Sequence, residues 1–301
     1  LTAIKVAAES ECKMPAIMTL PAILWFQEIA IADVPLVGGK NASLGEMVRE
    51  LGTSGVRIPA GFATTAAAYR GFIAACAVEP AMREHIRRYR TGEISLQEAG
   101  GAIRELLNVC LRCFASLFTD RAISYCEAKG FDHFAIALSI VVQQMVRADL
   151  GGSGVIFSID TKTGFPGVTV ISGAWGLGET VVQGSVDLGK YAVFKPLLDK
   201  PGARPIIEKT RGANAIKMVY ADGDSKRTRI VETSPAERHA FVLTGEEILE
   251  LGHWAVIVER HYGRPMDLEW AMDGETGLLY LVKARPETVQ SGISQSRLLH
   301  Y

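Results

Sequence analysis

The sequence predicts an α+β fold, with helices gathered early and mainly antiparallel strands late, and three observations predict it. Between Leu24 and Leu107 apolar residues recur mostly at helical spacing. After Phe134, short β-branched segments bounded by glycines follow one another at intervals that suit antiparallel pairing. Near the end, Thr244 and Glu247 open an amphipathic helix that leads into a hairpin.

Gly38, Gly39 and Lys40 open a stretch in which Leu44, Met47, Val48 and Leu51 share a helical period, and Gly52 stands where a C-terminal stop belongs. A glycine-rich helix entrance is therefore predicted there. Val56 to Pro59 reads as a short strand, and Thr64 or Thr65 can cap the next helix, which passes through Tyr69 and Phe72. Ile136 to Val142, Gly154 to Ile159 and Val168 to Ile171 read as strands. Tyr191 to Phe194, Ile206 to Glu208, Ile216 to Tyr220 and Thr228 to Val231 continue the series. The capping box at Thr244 starts a helix whose Ile248, Leu251, Ala255, Val258 and Tyr262 repeat until Gly263. Met266 to Met272 and Leu278 to Ala284 then flank the turn-rich Asp273-Gly274-Glu275-Thr276-Gly277, a hairpin.

The 301 residues carry 32 Lys+Arg against 33 Asp+Glu, a formal charge of -1, so no cationic surplus exists to displace counterions from phosphates and no nucleic-acid partner is expected. The apolar run Ala135 to Val142 falls far short of the roughly 18 residues a spanning helix needs, so no membrane partner is expected either. Pro15 and Pro21 break the apolar stretch from Met14 to Phe26, which argues against a signal peptide and for a cytoplasmic protein, with residues 1–23 set apart as a leader. Five cysteines, an odd number, suit a reducing compartment. Cys110 and Cys113 form a CxxC without a second ligand pair and are read as small apolar residues one helical turn apart.

Three features could carry chemistry. Asp267 and Glu269 lie two apart on a strand and share a face, and any even-sum hairpin register adds Lys283 and Arg285 to it. Such a group is either a structural ladder of ion pairs or a metal-nucleotide site in which a carboxylate holds Mg²⁺ and an Arg neutralises phosphoryl charge. Gly38-Gly39-Lys40 places an ammonium at a helix entrance, where backbone N–H groups favour an anion. Gly173-Ala174-Trp175-Gly176-Leu177-Gly178-Glu179 follows a strand and is either a tight connection or a place where backbone approaches a ligand beside Glu179.

The strings LWFQEIAIADVPLVGGKNASLGEMVREL (24–51), VRIPAGFATTAAAY (56–69), CFASLFTDRAISY (113–125), QQMVRADLGGSGVIFSIDTKTGF (143–165), WGLGETVVQGSV (175–186) and HYGRPMDLEWAMDGETGLLYLVKARPETV (261–289) occur in this order. Together they resemble the N-terminal domain of the phosphoenolpyruvate synthase (pyruvate, water dikinase) family. The resemblance implies an ATP-grasp-like, two-lobed domain with mainly antiparallel sheet: a helix-rich first lobe over 24–135, a strand-rich second lobe over 136–289 with the nucleotide and metal site, and 290–301 beginning a linker. It implies ATP and Mg²⁺ as cofactors, and a phosphohistidine on a further domain that carries phosphate to pyruvate, so pyruvate is a partner only through domains outside this sequence. A homodimer is carried as a further expectation. Position by position, Lys40 would contact ATP phosphates, Gln143, Met145 and Val146 would line the adenine, Glu179 would lie near the ribose or hinge, Glu269 would hold Mg²⁺ and Arg285 would neutralise the phosphates.

The sequence departs from that family in two places. Members carry an Arg-containing RSSATAEDxP stretch before the CFASLF segment, whereas here Ile103 to Val109 runs almost directly into Cys113-Phe114-Ala115 and no RSS occurs. Several tens of residues are therefore missing near 107/108, and the first lobe is expected to be incomplete. Lys283 also stands where the family's QARPET string has a metal-coordinating Gln; a protonated Lys is donor-only and is expected to pair with Asp267 or Glu269. No GGxxxHA-like motif follows Val289, and His85, His133, His239, His253, His261 and His300 are read as surface or structural. The alternatives are a catalytically inactive remnant, or the ATP-grasp part of a related phosphotransferase such as pyruvate, phosphate dikinase or rifampin phosphotransferase.

Overall fold

The computed structural model of the chain describes residues 21–75, 79–106, 116–132, 134–221 and 224–288. The expected break near 107/108, the Cys110 and Cys113 pair, residues 1–20 of the leader, the linker from 290 on, and His133 and His300 lie outside the described residues. The remainder forms two compact units, one from residues 21–42 with 61–142, the other from 43–60 with 143–288. The class is α+β, as the sequence predicts.

In the first unit, the helices Ala66–Ala75, Glu79–Arg90, Leu96–Leu106 and Asp120–Lys129 bury Tyr69, Ile73, Met82, Ile86, Ile103, Phe118 and Ile123 in one cluster. Thr65 caps the first of them by accepting from the Ala68 N–H at 3.2 Å, and Thr119 caps the last by accepting from Ala122 at 3.3 Å. Strands β1 (Ile23–Trp25), β2 (Gly61–Thr64) and β3 (Val141–Gln143, whose last residue is already counted with the second unit) form a small sheet in that order.

Two expectations change here. Residues 136–140 are not strand: Ala137, Leu138 and Ile140 pack on the helical cluster, and only Val141–Gln143 joins a sheet. The strand expected at Val56 to Pro59 is found a few residues later, at Gly61–Thr64, beyond a proline that has no N–H to give a ladder.

The helix Val34–Glu46 is broken at Gly38, whose φ of 77° and ψ of 159° belong to no helix and suit only glycine, so Lys40 sits exposed in the first helical turn beyond the break. That matches the predicted glycine-rich entrance. The stop is not at Gly52, which keeps a helical φ of -57°; the chain continues through Met47–Leu51 and Gly52–Ser54 to Gly55.

The second unit is built on six strands: β4 (Gly152–Phe157), β5 (Val168–Trp175), β6 (Gly189–Phe194), β7 (Ile206–Thr210), β10 (Met266–Met272) and β11 (Leu279–Pro286). Their order is β11-β10-β4-β5-β6-β7, and every paired neighbour is antiparallel. A separate hairpin joins β8 (Ile216–Ala221) and β9 (Asp224–Glu232). The helix Gly245–Tyr262 starts at the predicted capping box, with Thr244 accepting from Glu247 N–H at 3.3 Å and Glu247 accepting from Thr244 N–H at 2.7 Å.

That helix packs its Ile248, Leu251, Trp254, Ala255 and Val258 side toward one face of the sheet, where Met266, Leu268 and Trp270 are buried. Residues 43–60 belong to this unit because Arg57 reaches across it. Its guanidinium donates to Leu279 O at 2.9 Å, pairs with Glu250 at 2.6 Å and lies 5.0 Å from the Trp254 ring centre. Among the described residues no helix is long and apolar enough to cross a membrane.

Candidate functional site

Lys40 lies in the first unit; Gln143, Met145, Val146, Glu179, Glu269 and Arg285 all lie in the second. The second unit's residues owe their placement to strand alternation on the hairpin of β10 and β11. Since Leu268 and Trp270 point to the helix-covered face, Asp267, Glu269 and Ala271 point to the other. The register places Asp267 opposite Arg285 and Glu269 opposite Lys283, and an irregularity between Glu269 and Trp270 then shifts it. Both cross-strand pairs are closed: Arg285 donates to Asp267 at 2.6 Å, and the Lys283 ammonium binds Oε1 of Glu269. Asp267 is almost wholly buried while 61% of the Arg285 side chain is exposed, so the guanidinium has donors free to meet another anion.

Farther along the same face the chemistry turns apolar. Val146 and Ala148 are buried with Ala271, and Leu177, Tyr280 and Val282 pack against them. The segment carrying Val146 is fastened at several points. Gln144 N–H donates to Ala60 O at 2.7 Å, Arg147 N–H to Asp273 Oδ2 at 3.2 Å, and Gly274 N–H to Arg147 O at 3.1 Å. The Arg147 guanidinium grips Asp149 through two bonds of 2.9 Å and reaches Glu275 at 2.8 Å. Those carboxylates hold its proton more tightly than usual, the Asp149 hydrogen bond first. Burial pushes the Asp273 carboxyl up, but hydrogen bonds from the backbones of Thr276, Arg147 and Glu275 outweigh it and leave it below the usual carboxylate range.

Met145, unlike Val146, is exposed, and its sulfur accepts the Tyr220 hydroxyl at 3.0 Å. Burial first, and the nearby Asp149 charge second, keep that phenol protonated to higher pH than usual, with Arg147 opposing them. The Gln143 Nε2 is buried and has no hydrogen-bond partner among the described residues. Glu179 is exposed at the first position of the short helix Glu179–Val182, where Oε1 accepts from Gln183 at 3.0 Å. The connection before it is tight: Gly176 has a φ of 88°, and a side chain there would meet Met218 O at 2.6 Å.

Among the described residues no group of three or more His, Cys, Asp or Glu side chains gathers as a metal cage. One or two carboxylates suffice for Mg²⁺ arriving with phosphates. The carboxylate at Glu269, however, already carries the Lys283 ammonium, so the residues do not offer a free anionic ligand set. Sequence reasoning missed Arg147, Asp149, Asp273 and Tyr220, which fasten the Val146 segment; an Arg two residues from an Asp beside a glycine pair was the signal available. Of the histidines, His253 bonds Leu249 O at 2.8 Å and lies 3.3 Å from Asp199, and His261 meets Glu46 at 3.1 Å, each as a structural contact.

The family model for pyruvate phosphate dikinase, AMP/ATP-binding domain, matches in two stretches, residues 34–110 and 101–299. The chain is 44% identical to the phosphoenolpyruvate synthase of Synechocystis sp. over 93% of its own length and 43% of that protein's. It is 40% identical to that of Escherichia coli over 90% and 42%, and 39% identical to that of Aquifex aeolicus over 89% and 40%. It thus spans about two fifths of the length of the curated relatives it matches. The Synechocystis alignment runs over 354 positions, while 93% of 301 residues is about 280, so roughly 70 positions of that relative have no counterpart within the aligned part of this chain. With the family model covering well over half of its residues, the chain belongs to the pyruvate phosphate dikinase AMP/ATP-binding domain family.

Proposed function

We propose that the open face of the six-stranded sheet binds ATP, as the nucleotide-binding part of an enzyme that phosphorylates pyruvate to phosphoenolpyruvate, with AMP and phosphate as the other products. The observation that carries the reading is a gradient along β11: Tyr280 and Val282 end in the apolar cluster of Val146, and Lys283 and Arg285 follow as cations on the carboxylates of β10. An adenine nucleotide has the same polarity, a flat apolar base at one end and anionic phosphates at the other. In this reading Gln143, Met145 and Val146 line the base and Glu179 lies toward the ribose. Arg285 neutralises phosphate charge, and Glu269 marks the cation subsite. Lys40 is carried as a phosphate contact by its motif alone. The ATP-grasp architecture, with lobes at 24–135 and 136–289, belongs to the same proposal, as do transfer through a phosphohistidine to pyruvate, a homodimer and a cytoplasmic location.

Titration calorimetry of the purified chain with Mg-ATP tests this. Binding in the micromolar range, weakened about tenfold or more by Arg285→Ala, is expected; absence of heat would overturn it. Phosphoenolpyruvate formation by the 301-residue polypeptide is a separate matter. The family resemblance implies that the absent RSS string carries a charge-assisted phosphate contact, and loss of such a contact costs orders of magnitude in rate, so no AMP-coupled product is expected from ATP, Mg²⁺ and pyruvate. Detecting that product would refute the inactive-alone expectation while leaving ATP binding intact.

A further inference from the structure

In the nucleotide reading above, Lys283 lies on the same face and strand as Arg285, toward the end assigned to the phosphates. Its ammonium sits on Oε1 of Glu269, and the pair is three-quarters withdrawn from solvent, with 28% and 26% of the two side chains exposed. It faces the same side of the sheet as Arg285, two residues and ~7 Å along the strand. The neighbours of Glu269 on that face leave little else to do the work: Val155 of β4 lies opposite on one side, and Asp267 is engaged by Arg285.

A hydrated divalent ion approaching Glu269 would share one carboxylate with a fixed positive charge, so the two cations repel each other across a few ångströms of partly dry protein. Magnesium sheds its water reluctantly and demands near-octahedral geometry, which a carboxylate half committed to an ammonium does not supply. Lysine, by contrast, binds phosphate as a compact point charge and needs no such geometry. We infer that in this chain Lys283 is the resident cation of the nucleotide site, so that ATP binding does not require Mg²⁺. The inference rests on the nucleotide reading above and deepens it.

The test is titration calorimetry of the full 301-residue chain with ATP in EDTA and with ATP in saturating Mg²⁺, on the wild type, Lys283→Gln and Lys283→Arg, each checked for folding by circular dichroism. The wild type is expected to bind ATP with dissociation constants within about threefold in the two conditions, and Lys283→Gln to lose about tenfold or more in EDTA. Lys283→Arg, which keeps the charge, restores the metal-free binding and guards against a Gln variant that fails to fold. Wild-type binding that tightens tenfold or more with Mg²⁺, or Lys283→Gln binding unchanged in EDTA, overturns the inference and leaves the nucleotide site standing. Absence of heat in both conditions overturns the nucleotide reading itself, and the role of Lys283 with it.

Discussion

On one face of the six-stranded sheet Met266, Leu268 and Trp270 are each no more than 1% exposed beside the helix Gly245–Tyr262; one residue away along the same strand, Asp267 and Glu269 hold cations from β11. Because side chains alternate with a period of two, the two faces cannot be set independently. Burying Trp270 fixes the register, and the register delivers Asp267 to Arg285 and Glu269 to Lys283. A slip of one residue would expose the indole and bury four charges. The alignment of the candidate site is therefore inherited from the packing behind it, and the stabilities of the two faces should differ accordingly.

The largest effect is expected on the covered face. Trp270→Ala removes a fully buried indole and its 3.1 Å bond to Ser172 O, and should cost ~3–5 kcal/mol in denaturant unfolding; a loss under ~1 kcal/mol would break the comparison. Next comes the turn beside Glu179. Gly176→Ala puts a methyl group against Met218 O in a left-handed backbone, and a destabilisation of ~1–3 kcal/mol is expected by the same measurement.

A smaller effect belongs to the fastening of the Val146 segment. Asp273→Ala should cost about 1 kcal/mol at neutral pH through the lost bonds to Arg147, Glu275 and Thr276 N–H groups. The native carboxyl of Asp273 is held below the usual range, so its contribution is complete above the ordinary carboxylate pKa and disappears as pH falls through the lowered native value. The Tm difference between wild type and Asp273→Ala should accordingly shrink on going from pH 7 to about pH 3; a constant difference would show that the charge is not what fastens the turn. On the open face the stability effect is smallest. Arg285→Lys keeps a cation beside the nearly buried Asp267 carboxylate and should cost no more than ~1 kcal/mol of stability, while nucleotide affinity falls about tenfold with the loss of the forked guanidinium. Equal losses in both measurements would erase the distinction between the faces.

What could be read from the sequence depends on the range of the interactions involved. The helix Gly245–Tyr262 was legible to the residue because its capping box is local, and the Asp267, Glu269, Lys283 and Arg285 group was legible because a short hairpin leaves few registers. Residues 136–140 were not legible: a run of Ile, Ala and Leu looks strand-like, and its use as packing for Tyr69 and Ile86 depends on helices many residues upstream. The grip of Arg147 on Asp149, and of Asp273 on the Arg147 backbone, was equally hidden, since Asp273 is more than a hundred residues away in the chain. The sequence leaves Lys283 a choice between two acids, and only the hairpin register selects Glu269.

The membership of residues 43–60 in the second unit has a practical consequence for anyone wishing to produce that unit alone. A polypeptide beginning at residue 143 would contain every strand of the six-stranded sheet and the helix Gly245–Tyr262, yet leave Glu250 without Arg57, Leu281 N–H without the Arg57 carbonyl, and Gln144 N–H without Ala60 O. The residues that make these contacts are separated from the rest of the unit in the gene by residues 61–142. A permuted or linked chain that rejoins 43–60 to 143–288 is the form to express, and its solubility against that of the simple truncation would report how much those eighteen residues hold together.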